Sequence, residues 1–258
     1  MTISGGFSML LELRDIYFRY HGEAPILEGF DLEVQDGEFV ALLGPSGCGK
    51  STLLNLAAGL LDPLSGEVDF EGKELKGLNR NAGYMTQGDT LLPWMTVTNN
   101  IALPLELRNF PKAERQQKIE RALRLVNLWD ARDKFPSELS GGMKRRALLA
   151  RSIIYDPPML LMDEPFGALD AQMRETMHQE LLDTVGRTGE GVLFVTHDIA
   201  ESILLADRII VLGGKPLKVM EEIHIKWGKD RDLDQIRKDP EYTALETRLR
   251  DLLRAAHS

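Results

Sequence analysis

Cysteine is all but missing from this chain: Cys48 is the only one among 258 residues. No disulfide can form within one copy, which fits a reducing cytosolic compartment. The stretch Met1 to Met9 lacks the basic-then-apolar layout of a secretory signal. No uninterrupted apolar run approaches the roughly 20 residues of a membrane-spanning helix. The chain is therefore expected to be soluble, with any membrane role supplied by a partner. Positive charge is also in short supply. Acidic residues number 40 against 31 Lys and Arg, a formal charge of −9, which argues against a non-specific binder of nucleic acid or anionic lipid. No fixed-period repeat and no low-complexity tract is visible. What is plentiful is apolar material, 43% of the residues, enough for a sizeable buried core. The length suits one large α/β domain or a core with a smaller lobe.

One stretch organises the rest. Gly44-Pro45-Ser46-Gly47-Cys48-Gly49-Lys50-Ser51 follows the apolar run Phe39–Leu43 and leads into Thr52-Leu53-Leu54. Strand, glycine-rich loop and helix in that order form a P-loop, G-x-x-x-x-G-K-[ST]. Glycines let backbone N–H groups close around an anion, and the helix start adds partial positive charge. Lys50 would reach the β- and γ-phosphates, and the Ser51 hydroxyl would hold Mg²⁺. The plainer alternative is a glycine turn that happens to contain lysine, with Cys48 merely a small residue tolerated there. A thiol beside phosphates could also be sensitive to alkylation.

Along the chain, residues 1–8 read as a loose tail, followed by strand-like segments at 11–14, 16–20 and 26–34. Short strands follow at 67–70 and 83–87. From about 88 to 155 the pattern turns helical, with Pro111 at a first helical position and Ile119, Ala122, Leu123 and Val126 at helical spacing. This predicts a helical lobe inserted into an α/β core. Strands then alternate with helices: 159–164, 171–185, 191–197 and 208–212. That alternation implies a mostly parallel sheet with ligands at the carboxyl ends of its strands. Asp198 reads as an N-cap with Glu201 as capping-box partner. A final helix, 239–256, carries Tyr242, Leu245, Leu249, Leu252 and Leu253 on one face and is expected to pack on its own domain.

Metal-assisted phosphoryl transfer needs an anionic ligand for Mg²⁺ and a group to orient or deprotonate the attacking water. Asp163, closing an apolar strand, suits the first role and Glu164 the second. His197 follows another apolar strand and could hydrogen-bond the γ-phosphate; a satisfied structural histidine is the alternative.

A second glycine motif carries the resemblance. Leu139-Ser140-Gly141-Gly142-Met143 before a helix resembles the L-S-G-G-Q signature of ATP-binding cassette (ABC) ATPases, with Met143 in place of glutamine. The likeness covers nearly 10–225. It implies a P-loop core with a mostly parallel sheet, an N-terminal antiparallel β subdomain and an inserted helical subdomain. The ABC domain would span 9–225 and a C-terminal helical extension 226–258. It further implies nucleotide contacts from Tyr20 (Tyr17 and Phe18 as alternatives), residues Gly44 to Thr52, Ser140, Gly141, Gly142 and Asp170. Mg²⁺ would be held by Ser51, Gln87 and Asp163, with catalysis by Glu164, His197 and Gln87. The loop Ala168-Leu169-Asp170 resembles the one that communicates across a dimer. In the family two subunits stack head to tail, and ATP on one P-loop is capped by the partner's signature.

Leu91-Leu92-Pro93-Trp94-Met95-Thr96-Val97-Thr98-Asn99-Asn100-Ile101-Ala102-Leu103-Pro104-Leu105 resembles the bacterial import ATPases of the nitrate, sulfonate, taurine and bicarbonate group, as does Asp239-Pro240-Glu241-Tyr242 followed by a leucine-faced helix. The likeness implies a permease partner, indirectly a periplasmic or lipid-anchored substrate-binding protein, and a peripheral place on the cytoplasmic face of the bacterial inner membrane. Trp94 could meet a permease helix or pack within the lobe. From the short run after the sheet, no built-in sugar- or ligand-sensing module is expected. An exporter ATPase, or a soluble ABC ATPase acting on nucleic acid or ribosomes, remains the alternative; the acidic balance leans away from nucleic acid.

Overall fold

The computed structural model describes residues 8–167, 169–228 and 231–256. The chain begins with β1 (Met9–Phe18), β2 (Leu27–Gln35) and β3 (Phe39–Leu43), then α1 (Lys50–Ala57). Next come β4 (Ser65–Phe70), β5 (Lys73–Glu74) and β6 (Ala82–Met85). Three helices follow, α2 (Val97–Leu107), α3 (Lys112–Leu125) and α4 (Gly141–Ile153). The chain then runs through β7 (Met159–Asp163), α5 (Ala171–Thr188), β8 (Gly191–Thr196), α6 (Ile199–Leu205), β9 (Arg208–Gly213) and β10 (Lys218–His224). It closes with α7 (Leu233–Lys238) and α8 (Pro240–Ala256).

Among the described residues the strands form two sheets. One is antiparallel, in the order β2-β1-β4-β5; the other runs β10-β9-β3-β8-β7-β6 and is parallel except for the β10 edge. The central strands are apolar on both faces because both faces are covered. Their period of two divides two cores. Phe39, Ala41, Leu43, Leu160, Met162, Val192 and Phe194 point into a core shared with α2–α6 and α8. Val40, Leu42, Met159, Leu161, Leu193 and Val195 point the other way, onto α1 and the antiparallel sheet.

Four local expectations need correction. The segments at 11–14 and 16–20 are one strand with register shifts, and Tyr20 lies beyond its end. Pro111 is extended, with ψ of 141°, and stands as the N-cap of α3 rather than inside it. Asp198 does cap α6, but the Glu201 side chain does not return to it. The Asp198 N–H goes to the Thr196 hydroxyl, which in turn donates to Glu201 Oε2. The last strand and the helix α7 have no counterpart in the sequence reading. β10 is mostly exposed, so it lacks a marked apolar rhythm. Leu233 and Ile236 seat α7, while Arg231 donates to the Leu205 carbonyl and the Asp207 carboxylate. α8 packs through Leu249, Tyr242, Leu245, Leu252 and Leu253, as its spacing predicts.

At the amino end of β8, Glu190 is only 4% exposed. Burial pushes its carboxyl up to about 7. The hydrogen bonding agrees. The Thr188 hydroxyl contacts both the Thr184 carbonyl and Glu190 Oε2. It has one proton, and if the carbonyl takes it, Glu190 must bring its own. Between pH 4.5, the ordinary value, and about 7, the folded form holds a proton that the unfolded chain has lost. Stability is thus fully present below 4.5 and falls as pH rises to about 7. Glu190→Gln should flatten that fall and raise stability at pH 8 by roughly 3 kcal/mol, at about 1.4 kcal/mol for each pH unit between 4.5 and about 7. Urea unfolding at pH 5 and pH 8 checks it; equal pH dependence in the two proteins would reject the buried proton.

Candidate active site

The loop between β3 and α1 is gripped from two sides. Gly49 has φ of 116°, and a Cβ there would lie 2.6 Å from Ile26 Cγ2. At Gly44 a Cβ would come within 2.7 Å of the Leu212 carbonyl oxygen. No side chain caps α1, so its first N–H groups face the loop's concavity without a built-in acceptor, the arrangement that favours an anion. Lys50 is 4% exposed and donates to the carbonyls of Gly44 and Pro45, each at 2.8 Å. Two of the ammonium's three N–H bonds hold the loop, leaving one for a phosphate oxygen. Ser46 and Ser51 are exposed and Thr52 is buried. Cys48 is buried too, and that burial pushes its thiol up, opposed chiefly by Lys50. A raised thiol carries less thiolate, so ready alkylation is not favoured here.

Facing the loop are the carboxyl ends of three parallel strands. Asp163 ends β7, with the Ser51 hydroxyl near enough to act on its carboxyl. Burial raises the Asp163 carboxyl above its ordinary value; Ser51 opposes this and Glu164 adds to it. A cation placed there would reverse that trend. Mg²⁺ takes few protein oxygens and keeps several waters, and the Ser51–Asp163 pair fits such a site. Among the described residues no group of three or more His, Cys, Asp or Glu could hold a metal unaided.

Glu164 breaks out of the strand with φ of 43°, left-handed for a residue with a Cβ, while its N–H donates to the Val195 carbonyl at 2.9 Å. Such a backbone costs energy and persists where its surroundings enforce it. The turn aims the side chain between two others. Gln87 Nε2 donates to Glu164 Oε2 at 3.1 Å, and His197 Nδ1 lies 3.2 Å from the same oxygen. Gln87 follows β6 and His197 follows β8. Three strand ends, far apart in sequence, thus converge on one carboxylate.

A family model described as ABC transporter matches residues 27–167, more than half of the chain. The chain belongs to the ABC transporter family. Taurine import ATP-binding protein TauB of Pseudomonas aeruginosa is 39% identical over 230 residues, 88% of either chain. Bicarbonate transport ATP-binding protein CmpC of Synechococcus elongatus is 46% identical over 192 residues, 74% of this chain and 29% of that longer one. The dimeric ATP-binding cassette MJ0796, in a post-hydrolysis state with ADP and Pi, superposes with a TM-score of 0.73. It is 30% identical and covers 84% of this chain and 99% of its own. As an ABC ATPase, the protein is an enzyme whose hydrolysis is coupled to transport.

The other predicted positions of this ABC ATPase lie apart from the carboxylate cluster. Ser140 caps α4, its hydroxyl accepting from the Met143 N–H at 3.3 Å. Met143 packs its side chain toward the core. Gly142 has no room for a side chain, since a Cβ would lie 2.2 Å from Met173 Sδ, while a Cβ at Gly141 would clear Leu169 at 4.0 Å. Asp170 caps α5 through the Met173 N–H at 2.9 Å. Among the described residues no hydrogen bond or ion pair joins 140–142 to 44–52. Ala168 lies outside the described residues. Tyr20 is exposed, with its ring edge-on to Phe18 at 5.1 Å; Phe18 is buried and Tyr17 half-buried.

One set of contacts had no counterpart in the sequence reading. Arg145 donates to the carbonyls of Thr86, at 3.3 Å, and Gln87. Lys144 pairs with Asp89 at 3.0 Å, and Arg151 donates to the Thr90 carbonyl at 2.8 Å. The helix that starts at the signature therefore grips the Gln87 loop along four residues. The basic run 144–146 was visible in the sequence, but most of its partners are carbonyls, which leave no mark there.

Proposed function

We propose that this ABC ATPase energises a bacterial importer for taurine, nitrate, a sulfonate, bicarbonate or a related small solute. The observation that carries the catalytic part is the convergence of Gln87 and His197 on Glu164 beside the P-loop. In this reading Gly44 to Thr52 cradle the ATP phosphates and Lys50 adds a charge-assisted bond to them. Ser51, Asp163 and Gln87 would hold Mg²⁺, which would supply positive charge to neutralise the phosphates. Glu164 orients and deprotonates the attacking water, and Gln87 and His197 hold its carboxylate in place. His197 also reports the γ-phosphate. Tyr20 offers a ring face to adenine.

The signature residues Ser140, Gly141 and Gly142 make no bond to their own P-loop, which supports a site completed by a second copy stacked head to tail. Asp170 lies on the face that meets that copy. The dimeric state described for the 30%-identical cassette supports the same reading. ATP contacts made only in the closed pair would then drive closure, and their loss would release it.

Importer function is supported by the names of the taurine and bicarbonate relatives. An exposed aromatic seven residues after Gln87 supports a permease contact. Asn100 is buried, and its amide donates to the carbonyls of Leu92, Met95 and Thr96, each at 3.1 Å. This pins the preceding loop so that Trp94 stands 70% exposed rather than packed in the lobe. A rigid, exposed indole suits an apolar helix of a membrane partner. Among the described residues no helix is long and apolar enough to cross a membrane, so attachment to the cytoplasmic face would come through that permease. A substrate-binding protein would be met only indirectly. Affinity purification of the tagged chain from membranes tests this. Recovery of a multispanning permease, with ATPase activity raised by one of these solutes and its binding protein, is expected; recovery with RNA or DNA alone would overturn it.

A further inference from the structure

Arg174 lies in the first turn of α5, and its guanidinium joins segments that the sequence keeps far apart. Nη2 donates to the Leu169 carbonyl at 3.1 Å, and Nη1 to Asp198 Oδ2 at 3.4 Å. Nε is 3.8 Å from Glu201 Oε1. Leu169 and Asp170 form the turn before α5, whereas Asp198 directly follows His197. Glu201 is the buried hub behind them. Its Oε2 accepts from the Thr196 hydroxyl at 2.5 Å, and His178 Nε2 stands 3.7 Å from its Oε1. The Thr196 hydroxyl also accepts the Asp198 N–H at 3.0 Å. Both chain neighbours of His197 are thus tied through Glu201 and Arg174 to the turn at Leu169. A buried carboxylate needs a partner cation, and arginine supplies a permanent charge on a planar fork.

We propose that Arg174 is a positioning residue for ATP hydrolysis, holding the Leu169–Asp170 turn and His197 in one fixed relation. The inference rests on the role given above to His197. In the proposed dimer this turn meets the second copy, so Arg174 would carry the partner's arrival to the histidine beside the γ-phosphate. The fork reaches a carbonyl and a carboxylate at once; a lysine ammonium at the same place would reach one of them.

Steady-state MgATP hydrolysis by the full chain tests this, using Arg174→Ala, Arg174→Lys, Asp198→Asn and the Ala/Asn double variant. Asp198→Asn keeps an oxygen for the α6 cap while removing the charge. Arg174→Ala is expected to lower kcat about tenfold with KM for ATP within about twofold, and Arg174→Lys to lower kcat about threefold. The double variant should be no slower than Arg174→Ala, since both changes cut one contact. Native kcat in both Arg174 variants, or effects that multiply in the double, would overturn the proposal. If Arg174→Ala does not fold, the Lys and Asn variants decide by the same kcat criterion. Glu164→Gln runs alongside: native turnover there rejects the carboxylate assignment, while the Arg174 effect is still read from its own kcat and KM.

Discussion

Glu164→Gln should lower ATP turnover by at least about a hundredfold, the scale of a lost general base, while ATP still binds. The amide has nearly the same shape as the carboxylate, so the strained turn at Glu164 and the packing around it need not change. What it loses is the ability to take a proton from water. Gln87 and His197 flank a single carboxylate oxygen, and the amide oxygen can take that place and accept from both. Binding depends on Lys50 and the loop backbone, which this change does not touch. The expected product is an ATP-loaded closed pair that persists because it cannot hydrolyse. Phosphate release, nucleotide binding and gel filtration with ATP check the three parts. Hydrolysis above about a tenth of the native rate would show that another group activates the water.

Lys50→Ala acts at the other end of the same site, on binding. Its ammonium makes two 2.8 Å bonds to the loop carbonyls and keeps one donor for phosphate. A charge-assisted bond contributes about 1.5–3 kcal/mol, or roughly 10- to 150-fold in affinity. The substitution also leaves the Gly44 and Pro45 carbonyls without that donor, which loosens the cradle before any ligand arrives. ATP affinity should therefore fall by at least about tenfold, with turnover falling at subsaturating ATP. Calorimetric titration with ATP measures it. Native affinity in this variant would mean that the loop backbone binds phosphate without the lysine.

Much of this site could be read from the sequence because its parts sit at the ends of apolar runs. Phe39–Leu43, Met159–Asp163 and Gly191–Thr196 are buried on both faces, and such runs stand out against polar flanks. Asp163 closes the second run, Glu164 and His197 follow directly, and Lys50 follows the first by way of the glycine loop. Gln87 is different: β6 has only four residues, and it was the family likeness rather than the run that singled it out. Arg145 and Arg174 were missed for a shared reason. Each reaches groups that no local pattern pairs with it, Arg145 the carbonyls of Thr86 and Gln87, Arg174 the carboxylates of Asp198 and Glu201. The edge strand β10 was lost because exposure removes the apolar alternation on which strand recognition depends. At Asp198 the pattern was right and the partner wrong, because Thr196 lay closer to the hydrogen-bonding path than any spacing rule could register.

The grip of α4 on the Gln87 loop has a consequence for counting. In a head-to-tail pair, the signature at the start of α4 serves the partner's ATP, while Gln87 belongs to the subunit's own. Arg145, Lys144 and Arg151 bind those two parts into one piece. In the proposed pair, nucleotide arriving at one pocket would act on the signature over the other, so the two occupancies would not be independent events. The proposed machine would then advance on pairs of ATP molecules rather than on one.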